Sequence, residues 1–257
     1  MKISQLFNLT GKTAIVTGGA NGIGKATAIL LAKAGANISI GDFNPEEAEK
    51  TAKEIRELGV KAIAVSCNVL KDEDLVNLVD TTVKELGGVH ILINNAGGGG
   101  GGRENPFKIS VDDIKRDYEL NVFSGWRLCQ LCVPHMKKDG YGSIVFTTSM
   151  SSINKSPNMS GYAGSKASVN HMAANLAHDF GPEVRINCVG PGATRTAALE
   201  SVLTPEIEKN MLAHTPIKRL GTADDIAGAM LYFASPVSEW VSGQTIFVNG
   251  GGEQTLD

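Results

Sequence analysis

Two kinds of apolar pattern alternate along the chain. Short runs rich in β-branched residues predict seven β-strands, and longer stretches with apolar residues every three or four positions predict helices between most of them. The predicted strands span Thr13 to Val16, Asn37 to Ile40, Ala62 to Val65, His90 to Ile93, Ser143 to Thr147, Arg185 to Val189 and Thr245 to Val248. The predicted helices include Gly22 to Ala34, Pro45 to Leu58, Asp72 to Leu86 and Asp113 to Met136. Strands that alternate with helices indicate an α/β fold, with a parallel sheet covered by helices on both faces.

The composition is typical of a folded globular protein. Of the 257 residues, 42% are hydrophobic and 20% are charged, which excludes a disordered or fibrous chain. Because no linker-like segment or internal repeat divides the sequence, we expect one domain over residues 1–257. The 24 basic and 27 acidic residues give a net charge of −3, and the longest basic run is Lys137-Lys138. We therefore expect no nucleic-acid partner.

The first residues and the cysteines favour a cytoplasmic protein. The start, MKISQLFNLTGK, lacks the apolar core of a signal peptide. No stretch reaches the ~18 apolar residues of a membrane span, so no membrane partner is expected. Cys67, Cys129, Cys132 and Cys188 are expected to be free and buried. The Cys129 and Cys132 pair lies in an apolar helical stretch without a second ligand pair, so no metal site is predicted.

A glycine-rich turn follows the first predicted strand. Its sequence, TGGANGIG from Thr17 to Gly24, has the spacing GxxxGxG and leads directly into a helix. Gly18 can take the tight turn, Gly22 lets the backbone approach a pyrophosphate, and Gly24 allows close packing of helix on strand. The free N–H groups at the start of the helix favour an anion. The turn therefore predicts a dinucleotide phosphate site, although a plain strand-to-helix turn would have a similar sequence.

The end of the second predicted strand indicates which dinucleotide binds. Asp42 stands eighteen residues after Gly24, where a carboxylate can accept hydrogen bonds from the adenosine ribose hydroxyls. A 2′-phosphate would be repelled there, and Phe43 rather than a basic residue follows. We therefore predict NAD over NADP as the cofactor. The alternative is that Asp42 only begins the loop before the next helix.

The fourth predicted strand ends in Asn94-Asn95-Ala96-Gly97, at the carboxyl edge where open α/β sheets bind ligands. Small residues there let the backbone approach the ribose. Asn95 has two equally plausible roles at this stage: it contacts the cofactor, or it braces the strand.

Four polar residues form a candidate catalytic set. Tyr162 and Lys166 are four apart on a predicted helix and share one face. A phenol with a reference pKa of ~10 is a poor base, but a nearby ammonium favours the phenolate, which can remove an alcohol proton. Ser149 follows the fifth predicted strand and can hydrogen-bond the reacting oxygen. Asn121, in the long helix, can hold a backbone carbonyl or a water that relays protons from Lys166.

Together, TGGANGIG, NNAG, this four-residue set and Pro191-Gly192 resemble the classical short-chain dehydrogenase/reductase family over nearly the whole chain. The resemblance implies a single Rossmann-type domain, strand order 3-2-1-4-5-6-7 and a homotetramer. It implies that Tyr162 is the acid/base, Lys166 lowers its pKa and binds the nicotinamide ribose, Ser149 orients substrate and Asn121 supports the relay. It places NAD in the N-terminal part, and catalysis and substrate binding in residues 142–221.

Asn68 stands where the family commonly has Asp, which predicts weakened adenine binding. The cofactor-binding residues expected on all these grounds are Gly18, Asn21, Gly22, Ile23, Gly24, Asp42, Phe43, Asn68, Val69, Asn95, Ala96, Gly97, Tyr162, Lys166, Pro191, Gly192, Thr194 and Thr196.

Within the family, the chain is similar to the bacterial 7α-hydroxysteroid dehydrogenases. The likeness lies in NNAGGGG at Asn94 to Gly100, YELNVFS at Tyr118 to Ser124, NKSPNMSGY at Asn154 to Tyr162 and the segment Leu203 to Gly221. It implies an NAD-dependent enzyme that oxidises the 7α-hydroxyl of a bile acid. The residues expected to contact substrate are Gly98, Ser149, Asn154 and Tyr162. The stretch Ala197 to Arg219 is expected to form a helical lid, although core packing would give the same apolar spacing.

Three other functions remain open at this stage. A 3-oxoacyl thioester reductase and a sugar or polyol dehydrogenase of the same family would share these motifs. A catalytically silent dinucleotide-binding protein would share the fold, but it would be expected to lack the Tyr or the Lys. A hydrolase is not predicted, because the sequence has no G-x-S-x-G motif.

Overall fold

A seven-stranded parallel sheet forms the centre of the computed structural model, which describes residues 3–99 and 104–252. The strand order is β3-β2-β1-β4-β5-β6-β7, and every neighbouring pair is parallel. The strands are β1 Thr13–Thr17, β2 Asn37–Asp42, β3 Ala62–Ser66, β4 Ile91–Asn94, β5 Gly142–Thr147, β6 Val184–Pro191 and β7 Thr245–Val248. The predicted fold class is confirmed, as is the order implied by the family resemblance.

Helices cover both faces of the sheet. They are α1 Ile3–Leu6, α2 Gly22–Lys33, α3 Pro45–Arg56, α4 Asp72–Leu86, α5 Val111–Tyr118, α6 Ser124–Lys138, α7 Ser160–Phe180, α8 Ala197–Glu200, α9 Pro205–Ala213 and α10 Ala223–Ala234. One apolar cluster joins the sheet to α4, α6 and α7, and a second joins it to α2, α3 and α10. Because both faces are packed, strands such as β1 are buried at every position, which explains their short unbroken apolar runs.

The long helix predicted from Asp113 to Met136 is interrupted. Helix α5 ends at Tyr118, a π-helical turn spans Glu119–Phe123, and α6 begins at Ser124. A π turn adds one residue to the helical repeat and so rotates the side chains that follow it. The segment predicted as a lid is also discontinuous, since α8 and α9 are separated by residues 201–204.

The site lies where the strand order reverses. Strand β1 pairs with β2 on one side and with β4 on the other, so the connections after β1 and β4 leave on opposite faces of the sheet. Their carboxyl ends therefore open a crevice, which is where open α/β sheets bind ligands.

All four cysteines are free and buried, as predicted. Burial raises the pKa of the Cys67 and Cys188 thiols to about 12 and that of Cys129 and Cys132 well above the usual range. Within residues 3–99 and 104–252, no group of acidic, histidine or cysteine side chains could hold a metal ion. No helix in the same part of the chain is long and apolar enough to cross a membrane.

Candidate active site

The glycine turn after β1 has the backbone that its sequence predicts. Gly18 and Gly22 have φ angles of +62° and +53°, in the left-handed region that favours glycine. A methyl group at Gly24 would lie 2.0 Å from the carbonyl oxygen of Gly18, so no side chain fits there. The turn and the first turn of α2 are therefore in direct contact through glycine.

Among the described residues, no side chain caps the N-terminus of α2. The Asn21 side chain makes no capping hydrogen bond, and the first turn holds no acidic residue. Unpaired N–H groups and the positive end of the helix dipole therefore face the crevice, as an anion site requires. Ile23, in this turn, is half-buried.

Asp42 is fixed at the end of β2. Its side chain is 7% exposed, and its two oxygens accept hydrogen bonds from the backbone N–H groups of Ala20 and Asn44, each at 3.0 Å. A carboxylate has lone pairs left for further donors. The next side chain, Phe43, is 81% exposed, so its ring is open to a ligand.

The Asn95 side chain braces the protein itself. Its Nδ2 donates to the carbonyls of Thr17 and Gly18 at 3.1 and 3.2 Å, and its Oδ1 accepts from the Thr147 hydroxyl at 3.2 Å. These bonds tie the glycine turn to β5. Of the two roles left open for Asn95, the side-chain geometry supports bracing, and the neighbouring Ala96 and Gly97 offer only backbone and a methyl group to a ligand.

Lys166 is buried at the inner end of the site. Its side chain is 4% exposed, and its Nζ donates to the Thr147 carbonyl at 2.9 Å. Burial lowers the pKa of Lys166 to about 8, while Cys188 and Asp117 act in the opposite direction. Its Nζ lies 5.8 Å from the centre of the Tyr162 ring, so the predicted pair shares one face of α7.

Tyr162 and Ser149 meet across the ends of α7 and β5. Burial raises the pKa of the Tyr162 phenol, a hydrogen bond with Ser149 lowers it, and the Asp117 carboxylate raises it further. Burial is thus the largest effect on the pKa of the phenol, and the lowering comes from Ser149 rather than from Lys166, from which the sequence led us to expect it. Ser149 Oγ also accepts from the Ser151 N–H at 3.1 Å, which fixes its side chain at the start of a short 3₁₀ turn.

Asn121 lies in the π turn and holds the loop after β4. Its Nδ2 donates to the Gly98 carbonyl at 2.7 Å and to Ser165 Oγ at 3.0 Å, and its Oδ1 accepts from the Gly98 N–H at 3.0 Å. The Gly98 carbonyl is one of the two partners predicted for Asn121. A methyl group at Gly97 would lie 2.8 Å from Asn121 Oδ1 and 3.0 Å from Lys166 Nζ. Glycine at this position lets the loop pass against both side chains.

The remaining residues predicted to bind the cofactor lie at or after the carboxyl ends of β6 and β3. Thr194 is buried and donates to the Gly192 carbonyl at 3.0 Å, while Thr196 caps α8. A methyl group at Gly22 would approach Thr196 Cγ2 to 3.8 Å, so the segment from Pro191 faces the glycine turn. On the other side, Asn68 Oδ1 accepts from the Leu70 N–H at 3.1 Å, which leaves its amide nitrogen for a ligand. The adjacent Val69 side chain is buried.

Of the predicted substrate residues, Asn154 stands apart from the catalytic set. It lines an open groove of about 410 Å³ beside the start of α7, together with Lys155 and Glu104. Gly98, by contrast, is bonded to Asn121 in the centre of the site. Within the glycine run from Gly97, the residues Gly100 to Gly102 lie outside the described residues.

Two acidic residues and one carbonyl in the site were not predicted. Glu104 and Asp117 are buried, 3% and 8% exposed, at the first turn of α7. The Thr147 carbonyl that binds Lys166 is a backbone group and leaves no mark in the sequence. Asp117 could have been noticed from its spacing, since it lies one helical turn before Asn121.

The parallel sheet, the glycine turn and the Ser149, Tyr162 and Lys166 arrangement together define a class of oxidoreductase. The chain belongs to the short-chain dehydrogenase/reductase family, as its motifs predicted. A family model described as enoyl-(acyl carrier protein) reductase matches residues 18–253.

Individual members are similar along the whole chain. The 7α-hydroxysteroid dehydrogenase of Escherichia coli strain K12 is 48% identical over 255 residues, which cover 99% of both chains. A solved structure of a 7α-hydroxysteroid dehydrogenase complexed with NADH and 7-oxo glycochenodeoxycholic acid matches with a TM-score of 0.96, at 48% identity and with full coverage of both chains. The 3-oxoacyl-(acyl-carrier-protein) reductase of Thermotoga maritima is 32% identical over 246 residues, 95% of this chain and 99% of that protein.

Proposed function

We propose that the protein is an NAD-dependent hydroxysteroid dehydrogenase that interconverts the 7α-hydroxyl of a bile acid and the corresponding ketone. The observation that carries this proposal is the full-length likeness to a 7α-hydroxysteroid dehydrogenase structure that holds NADH and a 7-oxo bile acid. The free α2 N-terminus, Asp42 and the buried Tyr162 and Lys166 pair support it from within the chain.

The crevice fits NAD on the chemistry of its residues. The glycine turn and the first N–H groups of α2 would hold the pyrophosphate, and Asp42 would accept hydrogen bonds from the adenosine ribose. The exposed Phe43 ring would lie against the adenine, with Asn68 and Val69 nearby. Pro191, Gly192, Thr194 and Thr196 would hold the nicotinamide end. When bound, the cofactor accepts a hydride from the alcohol carbon or returns it to the ketone.

The chain's own residues would move the proton. Tyr162 takes the alcohol proton at its phenolic oxygen, and Ser149 donates a hydrogen bond to the reacting oxygen. Lys166 supplies a buried positive charge that favours the phenolate. Asn121 holds the Gly98 backbone, so the loop after β4 keeps its distance from Lys166 and Tyr162. In this proposal the N-terminal part of the single domain binds NAD, and residues 142–221 carry catalysis and the substrate site.

The acidic side chain of a bile acid would extend toward the groove beside α7. Lys155 lines that groove and is exposed, which supplies a positive charge at the mouth of the site. Asn154 in the same groove would contact the steroid or its side chain.

A homotetramer is part of the proposal. Phe123 and Trp126 near the start of α6 are 58% and 43% exposed, and Trp126 borders a shallow, mostly apolar groove with residues of α7. Burying this surface against a second copy would remove it from water. Light scattering on the purified protein measures the mass of the assembly; any assembly other than four copies at assay concentrations would contradict this part.

A panel of bile acids that differ at C3, C7 and C12 tests the substrate. We expect NADH formation with cholate and chenodeoxycholate, a 7-oxo product identified by mass spectrometry, and little turnover of deoxycholate, which lacks the 7-hydroxyl. The Tyr162→Phe variant should bind NAD as the wild type does and lose about 10²- to 10⁴-fold in kcat. Higher activity on acetoacetyl thioesters than on cholate would instead identify a 3-oxoacyl thioester reductase.

A further inference from the structure

The first turn of the catalytic helix α7 is held by a carboxylate from a distant loop. Glu104 Oε2 accepts a hydrogen bond from the Gly161 N–H at 2.7 Å, and Oε1 accepts from the Tyr162 N–H at 2.9 Å. The Glu104 N–H in turn donates to the Asn158 carbonyl at 3.1 Å. A carboxylate on free N–H groups at a helix start is a stable arrangement, because the helix dipole favours negative charge there.

Asp117 of α5 is a second buried carboxylate that packs against the first turn of α7. A methyl group at Gly161 would lie 3.4 Å from both Asp117 Oδ2 and Glu104 Oε2, so the two side chains face the same glycine. A methyl group at Gly99 would lie 2.9 Å from Asp117 Oδ1 and 2.8 Å from Tyr162 Cδ2, so Asp117 also faces the tyrosine ring. Within residues 3–99 and 104–252, the Asp117 carboxylate receives no hydrogen bond of the kind that Glu104 has.

Charged groups reach Tyr162 from several elements. Lys166 lies on its own helix, Asp117 on α5 and Glu104 on the loop before α5. Cys188 of β6 raises the pKa of Lys166. Asp113, at the exposed start of α5, raises the pKa of Asp117. Ser149, from the end of β5, is polar but not charged. Asp117 is therefore the acid that faces the Tyr162 ring without a helix N-terminus to neutralise it.

We propose that Asp117, enclosed by Glu104 and the first turn of α7, is a positioning residue that sets the pH at which Tyr162 and Lys166 give up their proton. This inference rests on the proposed role of Tyr162 as the acid/base. A negative charge beside the ring disfavours the phenolate and favours the ammonium of Lys166, so it raises the pH at which both groups lose their protons. Because the two groups titrate as a coupled pair, the direction is the same whichever of them holds the proton.

Removing the charge should therefore move proton release to lower pH. At an effective dielectric constant of about 20, removing a unit charge that lies roughly 6 to 12 Å away corresponds to a shift of about one to two pH units. Asp117→Asn keeps the shape of the side chain, and Asp117→Ala is a second variant should the amide pack badly. Glu119→Gln is the matched control, because Glu119 is an exposed acid next to α5 and its charge is screened by water.

The first measurement follows tyrosinate absorbance against pH without cofactor. The wild type and each Asp117 or Glu119 variant is compared with the same protein carrying Tyr162→Phe in addition, so the difference in absorbance reports Tyr162 alone. Circular dichroism defines the pH range in which the protein stays folded. The second measurement is the acidic limb of kcat/KM for alcohol oxidation. We expect both midpoints to fall by about one to two pH units in Asp117→Asn and to stay in place in Glu119→Gln.

The outcomes separate this inference from the proposed function. Midpoints that are the same in the wild type and both Asp117 variants would overturn the role of Asp117, even with Tyr162 essential for turnover. A shift of equal size in Glu119→Gln would also overturn it, because a general charge effect would then suffice. Full turnover by Tyr162→Phe would refute the acid/base role itself, and the absorbance difference would still report the effect of Asp117 on the phenol.

Discussion

The Asp42 carboxylate at the end of β2 accepts a hydrogen bond from the Ala20 N–H in the glycine turn, at 3.0 Å. The residue proposed to select the cofactor is thus tied to the turn proposed to hold its phosphates. With a second bond from Asn44, its negative charge stays at one place in the crevice. A 2′-phosphate at that place would meet a fixed, buried like charge, which is costly.

Neutralising Asp42 should relax the preference for NAD. We expect Asp42→Asn to raise the ratio of kcat/KM with NADP to kcat/KM with NAD by about 10- to 100-fold, because about 1.4 kcal/mol of repulsion corresponds to a factor of ten. The amide still offers an oxygen to one of the two N–H groups, so the turn is kept. Steady-state kinetics with both cofactors measure the ratio. A wild-type enzyme that prefers NADP would contradict the assignment at once.

Asn121 should matter for catalysis and for local order. Asn121→Ala leaves the N–H and carbonyl of half-buried Gly98 without their side-chain partner, and about 1–3 kcal/mol is the cost when such an unpaired group is fully buried. We expect a lower free energy of unfolding and a drop in kcat of about 10- to 100-fold. Binding of NAD, measured by quenching of protein fluorescence, should change less than kcat. A variant with wild-type kcat would show that the loop holds its position without Asn121.

Two glycines should respond to alanine in opposite directions. At Gly24 the new methyl group would meet the Gly18 carbonyl at 2.0 Å, and such overpacking typically costs about 1–3 kcal/mol. At Gly228 in α10, no described atom outside its own stretch of the helix lies within 4 Å of the added carbon, and alanine in a helix is favoured by about 0.5–1 kcal/mol. Chemical denaturation of Gly24→Ala and Gly228→Ala compares them directly. Destabilisation by Gly228→Ala would contradict the open surroundings described for that site.

His90 should make the stability depend on pH. Its Nδ1 accepts the Thr13 N–H at 3.1 Å, which needs the neutral ring, and burial lowers the pKa of His90, with Lys12 in the same direction and Asp139 opposed. The unfolded chain therefore binds the proton at a higher pH than the folded chain does. The contribution of neutral His90 to the free energy of unfolding is complete above about pH 6.5. This contribution is lost as the pH falls from that value toward the pKa of His90 in the folded protein.

The measurement is the free energy of unfolding between about pH 7 and about pH 5 for the wild type and His90→Gln. The wild type should lose stability more steeply than the variant over this range. Titration of the His90 ring by NMR gives the folded pKa directly, and a value above that of free histidine would reverse the expected slope.

The sequence predicted the sheet well because its strands are short, buried on both faces and separated by helices of ordinary length. The glycine turn could also be predicted from local sequence. A glycine such as Gly24 marks a position where no side chain fits, so the residue type alone indicates close packing there. The Tyr162 and Lys166 pair followed from helical spacing on α7.

Features that depend on distant contacts could not be predicted in the same way. The hydrogen bonds that the Glu104 carboxylate accepts from the Gly161 and Tyr162 N–H groups join residues 57 and 58 positions apart, and no local pattern marks them. The bracing role of Asn95 depends on Thr147, which only the pairing of β4 with β5 brings near. The π turn around Asn121 adds a single residue to one helical turn. The apolar spacing on either side of it is still typical of one continuous helix, so the interruption could not be predicted from the sequence.

Because every cysteine is buried and its thiol resists ionisation, the native chain offers no ready target to thiol reagents. A single cysteine introduced at exposed Pro157, which lines the same groove, could therefore carry a fluorescent label without removal of the native ones or of the Lys155 charge. Such a probe would sit at the mouth of the groove beside α7 and report the arrival of a ligand there by its change in emission, independently of any reaction.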